Sequence, residues 1–174
     1  MKTNRPLFKL TSTAVFAALI LTATYLSLPV PGGSGDVNLG DCLILVAALW
    51  LGPLWGGVAA AVGAGLTDLI LGFVYYAPAT FIIKWLVAVT MFLIFKVLSK
   101  TKLHFSLCFI ISGTLAELLM VMGYFVFEIF LYGLGAALFD IVANSVQGVF
   151  GVAVGAVIYS VFHKTDLIKK LFKE

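Results

Sequence analysis

Six of the chain's eight acidic residues, Asp36, Asp41, Asp68, Glu117, Glu128 and Asp140, lie within or between stretches otherwise made of apolar side chains. Carboxylates in such surroundings act as acid and base, pair with a cation, or hydrogen-bond a polar ligand. An ionised group inside a bilayer costs about 2.5–3.5 kcal/mol on insertion scales, so it faces a partner or a water-filled cavity. Lys84 is the only basic residue in the same kind of stretch. Asn144 and Gln147 follow Asp140 at i+4 and i+7, which puts the three on one helical face. Glu117, Tyr124 and Glu128, spaced by seven and four, share another. Three readings of Lys84 stay open: an ion pair with Asp68 or Glu128, a member of a ligand pocket with these carboxylates and amides, or a side chain snorkelling to the interface.

The motifs of most other chemistries are missing. There is no G-x-x-x-x-G-K-[ST] phosphate loop, no H-E-x-x-H and no G-x-S-x-G. His104 and His163 have no companion ligand, so neither a metal nor a cofactor is expected, and nucleotide hydrolysis by this chain is excluded. Cys42 and Cys108 lack metal or disulfide spacing and read as small buried hydrophobes. The net charge of +3 comes from short separate groups of basic residues, not one basic face, so nucleic acid is not an expected partner.

The elements that must position these groups are transmembrane helices. Apolar residues make up 62% of the chain and charged residues 11%, against roughly 45–50% and about 25% in soluble domains. With about 20 residues per span, one transmembrane domain of six helices accounts for nearly the whole chain: about 7–27, 40–52, 53–73, 79–98, 105–131 and 137–163. Only Gly52-Pro53 divides the second from the third, since proline cannot continue the helical ladder and disfavours helix in the residue before it; a tight turn is expected there, with a single kinked helix as the alternative. The basic N-terminal segment and its apolar run resemble a secretory signal, but no small-residue cleavage site follows cleanly, so the run reads as a retained first helix. The irregular stretch 28–39 must lie outside the bilayer core or line a cavity.

Ten of the eleven basic residues fall on one side of this six-span arrangement, the cytoplasmic side by the positive-inside rule, which puts both termini inside. The tail at 164–174 mixes lysines with Leu167, Ile168, Leu171 and Phe172, suited either to the inner membrane surface or to a plain stop-transfer end. At about 1.5 Å per residue, Asp41, Asp68, Lys84, Glu128, Asn144 and Gln147 all fall in the outer half of the bilayer, with Glu117 near its middle. Tyr75, Tyr76 and Trp85 lie at the same outer level, as interfacial belt residues or as walls that stack on a planar ring. Small residues at four-residue spacing, Ala14 with Ala18, Gly57 with Ala61 and Gly65, and Gly151 with Gly155, make strips along which helices approach closely.

Several runs carry a family resemblance. Val37-Asn-Leu-Gly-Asp41, Leu51-Gly-Pro-Leu-Trp-Gly56, Leu66-Thr-Asp-Leu-Ile-Leu-Gly72, Tyr76-Ala-Pro-Ala-Thr-Phe-Ile-Ile-Lys84 and Gln147-Gly148 resemble the S components of energy-coupling factor (ECF) vitamin transporters, in particular the HmpT-like and pyridoxine-type branch. The resemblance implies a six-helix S-component bundle in a bacterial plasma membrane that captures a vitamin from outside. A transmembrane T component and two cytoplasmic ATPase subunits supply the energy, and the chain itself is not an enzyme. It also implies that Ala14 and Ala18 meet the T component and that the 28–39 loop acts as a lid. The expected ligand is pyridoxine or another B6 vitamer, with hydroxymethylpyrimidine second. Its expected contacts are Asn38, Asp41, Asp68, Tyr76, Lys84, Tyr124, Glu128, Asn144 and Gln147. Two other classes compete: an intramembrane enzyme using Asp68, Glu117 and Glu128 as acid and base, and a small channel or scaffold.

Overall fold

The computed structural model describes residues 5–29 and 36–164. In chain order these form α1 (Arg5–Tyr25), β1 (Leu28–Pro29), β2 (Asp36–Val37), α2 (Gly40–Leu71), α3 (Ala77–Leu98), α4 (Phe105–Tyr132) and α5 (Leu134–Lys164). Each helix is long and apolar enough to cross a membrane. Their outward faces carry bare apolar side chains such as Leu54, Val149 and Phe130, the surface of a chain whose solvent is lipid and not water.

Five helices replace the six expected, because 40–52 and 53–73 are parts of one helical element. Gly52-Pro53 interrupts that element without ending it: only Gly52 leaves helical geometry, at φ 84° and ψ 174°, a conformation natural to glycine. The interruption reverses the chain. A straight helix would separate Gly40 from Leu71 by about 47 Å, yet a Cβ built on Gly56 would lie 2.7 Å from the Ala48 Cα, and Asn38 and Asp68 line one cavity. The two halves of α2 therefore lie side by side. The other boundaries agree to within three residues. The largest shift is at α5, which starts at Leu134 instead of about 137 and leaves Gly133 (φ 85°) as the single residue between α4 and α5.

The first half of α2 is the centre of the bundle. Ile44, Leu45, Ala47 and Ala48 are fully enclosed, and α2 packs on α1, α3 and α5. Most of the small-residue strips serve this packing. Gly57 and Gly65 lie under the rings of Trp85 and Phe81 of α3, while Gly151 and Gly155 admit Asp41 and Phe109. Ala14 and Ala18 differ, because both are exposed on the outer side of α1.

The bundle has two unlike ends. At one, Phe95, Phe105, Phe109 and Tyr159 join α3, α4 and α5, with the Phe105 and Tyr159 rings stacked at 5.1 Å. Lys96, Lys100 and Lys102 are exposed beside them. At the other, the end of α1 meets the start of α2, where Thr24 faces Gly40. There the loop after α1 opens and closes on an antiparallel ladder, Leu28 with Val37 and Pro29 with Asp36. Of the lid expected over 28–39, residues 30–35 lie outside the described residues, as does the amphipathic tail at 165–174.

The reversal in α2 depends on the absence of a side chain at Gly56, where backbone and not a flexible side chain fills the space. Gly56→Val is expected to destabilise the protein by about 1–3 kcal/mol through overpacking. Gly135→Ala, where nothing lies within 4 Å of the new Cβ, should leave stability nearly unchanged. Thermal unfolding of the two variants in detergent distinguishes them.

Candidate functional site

The site is built upward from a buried charge pair. Asp41 sits in the first turn of α2, where the helix N-terminus favours a negative charge. Lys84, two turns into α3, donates to Asp41 Oδ1 at 2.6 Å, with the lysine side chain 5% and the aspartate 1% exposed. Gln147 of α5 donates its amide nitrogen to Asp41 Oδ2 at 2.5 Å. Its amide oxygen accepts from Asn38 at 3.4 Å. Met120 Sδ lies 3.0 Å from Lys84 Nζ, which also stands 5.5 Å from the centre of the Tyr124 ring. Lys84 thus pairs with Asp41 and not with Asp68 or Glu128, the two partners expected from depth along the helices.

Above this floor opens a cavity of about 460 Å³. Eight of the nine expected contacts line it: Asn38, Asp68, Tyr76, Lys84, Tyr124, Glu128, Asn144 and Gln147. Asp41 is the exception, standing behind Lys84 and Gln147 and holding both in place. The Tyr124 and Thr80 hydroxyls meet at 3.0 Å, and Asp68 is within hydrogen-bond reach of Thr80. Toward the end of the bundle, Tyr76 packs against Phe73, Phe127 and Tyr132 with ring centres 5.4–6.4 Å apart. Burial, reinforced by the neighbouring Glu128 carboxylate, pushes the Tyr76 phenol up. It therefore stays a hydrogen-bond donor at neutral pH.

Besides the small side chains of Ala64 and Ala136, five lining residues lie outside the contacts expected from the sequence: Thr24, Phe73, Thr80, Tyr132 and Asp140. Helical spacing carries a signal for three of them. Thr80 is four residues before Lys84, Tyr132 four after Glu128, and Asp140 four before Asn144, so each shares a face with an expected contact. Thr24 and Phe73 carry no such signal, since tertiary packing alone brings the end of α1 and the loop after α2 to the cavity.

Glu117 stands apart. It is buried between α4 and α5 beneath Gly148 and borders a separate, more apolar groove with Thr114 and Ser145. It does not line the cavity that holds Asp68 and Glu128, so the three do not form one acid–base site.

Residues 7–164 match a family model described as the ECF-type riboflavin transporter, S component. A Pyrococcus woesei relative, described as an uncharacterized protein in gap 3'region, is 34% identical over 139 residues, which is 79% of this chain and 89% of that one. Among solved structures, the S component of a bacterial ECF transporter superposes with a TM-score of 0.67 at 18% identity, covering 90% of this chain and 96% of the other. ThiT from Listeria monocytogenes superposes with a TM-score of 0.62 at 24% identity, covering 93% and 96%. At these identities the two structures show the fold.

The charge pair sets its own test. Lys84→Met leaves the buried Asp41 carboxylate without its cation, a change that costs about 3–5 kcal/mol when one member of a buried pair is removed. Adding Asp41→Asn removes the orphaned charge and is expected to restore most of the lost stability. Thermal unfolding of the two single variants and the double variant measures the coupling. A double variant no more stable than Lys84→Met would mean that the pair does not hold the floor together.

Proposed function

The chain belongs to the family of ECF-type riboflavin transporter S components, and from that premise we propose that it captures a small planar heteroaromatic vitamin in the cavity above the Asp41–Lys84 pair. Membership makes it a multi-pass plasma-membrane protein and the substrate-binding subunit of a transporter, not an enzyme. It works with a transmembrane T component and ATPase subunits.

The observation that carries the ligand reading is the convergence on one cavity of hydrogen-bonding groups from the five described helices and the loop before α2, beside a tyrosine and phenylalanine wall. Small-molecule sites combine apolar walls with a few convergent polar groups in this way. Pyridoxine and other B6 vitamers, and hydroxymethylpyrimidine, are planar rings with hydroxymethyl groups that match both kinds of contact. Riboflavin enters as a further candidate through the description of the matching family. The orientation we propose puts the cavity outside and the Phe95–Tyr159 end inside, because the lysines of the α3–α4 connection cluster at that end.

Ala14 and Ala18 of α1 are the proposed contact with the T component. Both are exposed, and the hydroxyls of Thr11 and Thr22 nearby bond to carbonyls of their own helix. The line from Thr11 through Ala14 and Ala18 to Thr22 is thus a strip of small groups, flanked by the exposed Val15 and Leu19, along which a partner helix can approach closely.

Mass spectrometry of small molecules carried through gentle purification tests the ligand class directly, with a heteroaromatic vitamin expected. Asn144→Leu is expected to weaken vitamin binding by about tenfold to a hundredfold, since it removes a polar contact from the cavity wall. Calorimetric titration measures this. Ala14→Trp or Ala18→Trp is expected to abolish uptake by the assembled transporter while leaving binding intact. Loss of both would assign the strip to internal packing. Liposomes holding this chain alone should bind the vitamin without accumulating it.

A further inference from the structure

The cavity's charges do not cancel. Among the described residues Lys84 is its only basic lining residue, and that charge is already paired with Asp41 at 2.6 Å. Three carboxylates line the cavity with no basic partner of their own: Asp68, Glu128 and Asp140. Two of them are short of hydrogen bonds as well. Glu128 is only 3% exposed and its Oε2 has no partner among the described residues, nor has Asp140 Oδ1. A buried carboxylate oxygen with no donor is costly to maintain, so groups held this way await a donor or a cation from outside the chain.

The missing partner has a definite chemistry. Among the described residues no three acidic, cysteine or histidine side chains come close enough to hold a metal ion, so the carboxylates suit charge spread over an organic ligand. The Tyr76 and Tyr132 rings, with centres 6.2 Å apart, both line the cavity, and aromatic rings attract such a cation through their negative faces.

We infer that the cavity selects a positively charged heteroaromatic ring, with a protonated or quaternised nitrogen, and that Glu128 and Asp140 read its charge. The inference rests on the cavity being the vitamin site. It ranks pyridine and pyrimidine rings, whose nitrogens accept a proton, ahead of a neutral flavin ring. It also assigns Asp140, at the start of α5, a specificity role beyond wall-building.

A matched pair of probes tests this on the purified full-length chain in detergent: 1-methyl-3-(hydroxymethyl)pyridinium and its neutral isostere 3-methylbenzyl alcohol, each titrated calorimetrically, beside pyridoxine, hydroxymethylpyrimidine and riboflavin. The pyridinium should bind at least about tenfold more tightly than the isostere, as a charge-assisted contact would make it. That ratio should fall toward one in Glu128→Gln and, separately, in Asp140→Asn, with folding of each variant checked by thermal unfolding. Equal affinities in the wild type, or a preference that survives in both folded variants, would overturn the inference and leave the vitamin site standing. Failure of every probe and vitamin to bind the folded wild type would overturn the proposed vitamin site itself.

Discussion

A lysine and an aspartate removed from water inside a membrane protein must find each other, and the Asp41–Lys84 pair imposes that requirement on the whole bundle. Desolvating two charges is expensive unless geometry and extra hydrogen bonds compensate. Here the compensation draws on α2 for the carboxylate and its helix N-terminus, α3 for the ammonium, and α5 for the Gln147 amide. Three elements distant in sequence are thereby held in register at one end of the bundle. Gly151 helps by leaving room for the Asp41 side chain, since a Cβ there would lie 3.0 Å from that of Asp41. The reversal at Gly52 serves the same end. Without it, Asp68 would stand far from Asp41 instead of lining the cavity above it.

The rest of the architecture separates tasks by region. Small side chains and glycines pack the interior of the α1–α3 layer, where Gly57 and Gly65 accept the rings of α3. Aromatic rings close the end opposite the cavity. The outer face of α1 contributes neither to the cavity wall, apart from Thr24 at its last turn, nor to the core around Ile44 and Leu45. A surface left out of both is free to meet another helix, which accords with a subunit that captures and leaves energy coupling to its partners.

Much of the site was legible in the sequence because membrane insertion makes polar residues conspicuous. Each of Asp68, Lys84, Glu128, Asn144 and Gln147 had to be explained against an apolar background, and depth counting along helices put them at one level. Three features were not legible. The partner of Lys84 depended on lateral packing, which depth counting does not supply, so Asp68 and Glu128 were offered in place of Asp41. At Gly52-Pro53 the position of the break was legible, but not that a single residue outside helical geometry, Gly52, would turn the chain while the helix runs on at either side. Thr24 and Phe73 reach the cavity only through tertiary contact, since nothing in their spacing sets them apart from wall residues facing lipid.

The arrangement of the charges also bears on how such a site could change its ligand. Lys84 and Gln147 both direct hydrogen bonds at Asp41, with Asn38 and Met120 as further partners, so altering any of the three leaves a buried group unpaired. The groups nearer the end of the bundle, Asp140, Tyr132, Tyr76 and Glu128, are tied to the floor by none of those bonds. Glu128 and Asp140 each keep an oxygen without a partner. Substitutions at the rim therefore leave intact the interactions that hold α2, α3 and α5 together, while changing the charge and shape that a ligand meets. A floor that is costly to alter beneath a rim that is not lets one scaffold serve chemically different small molecules without being rebuilt.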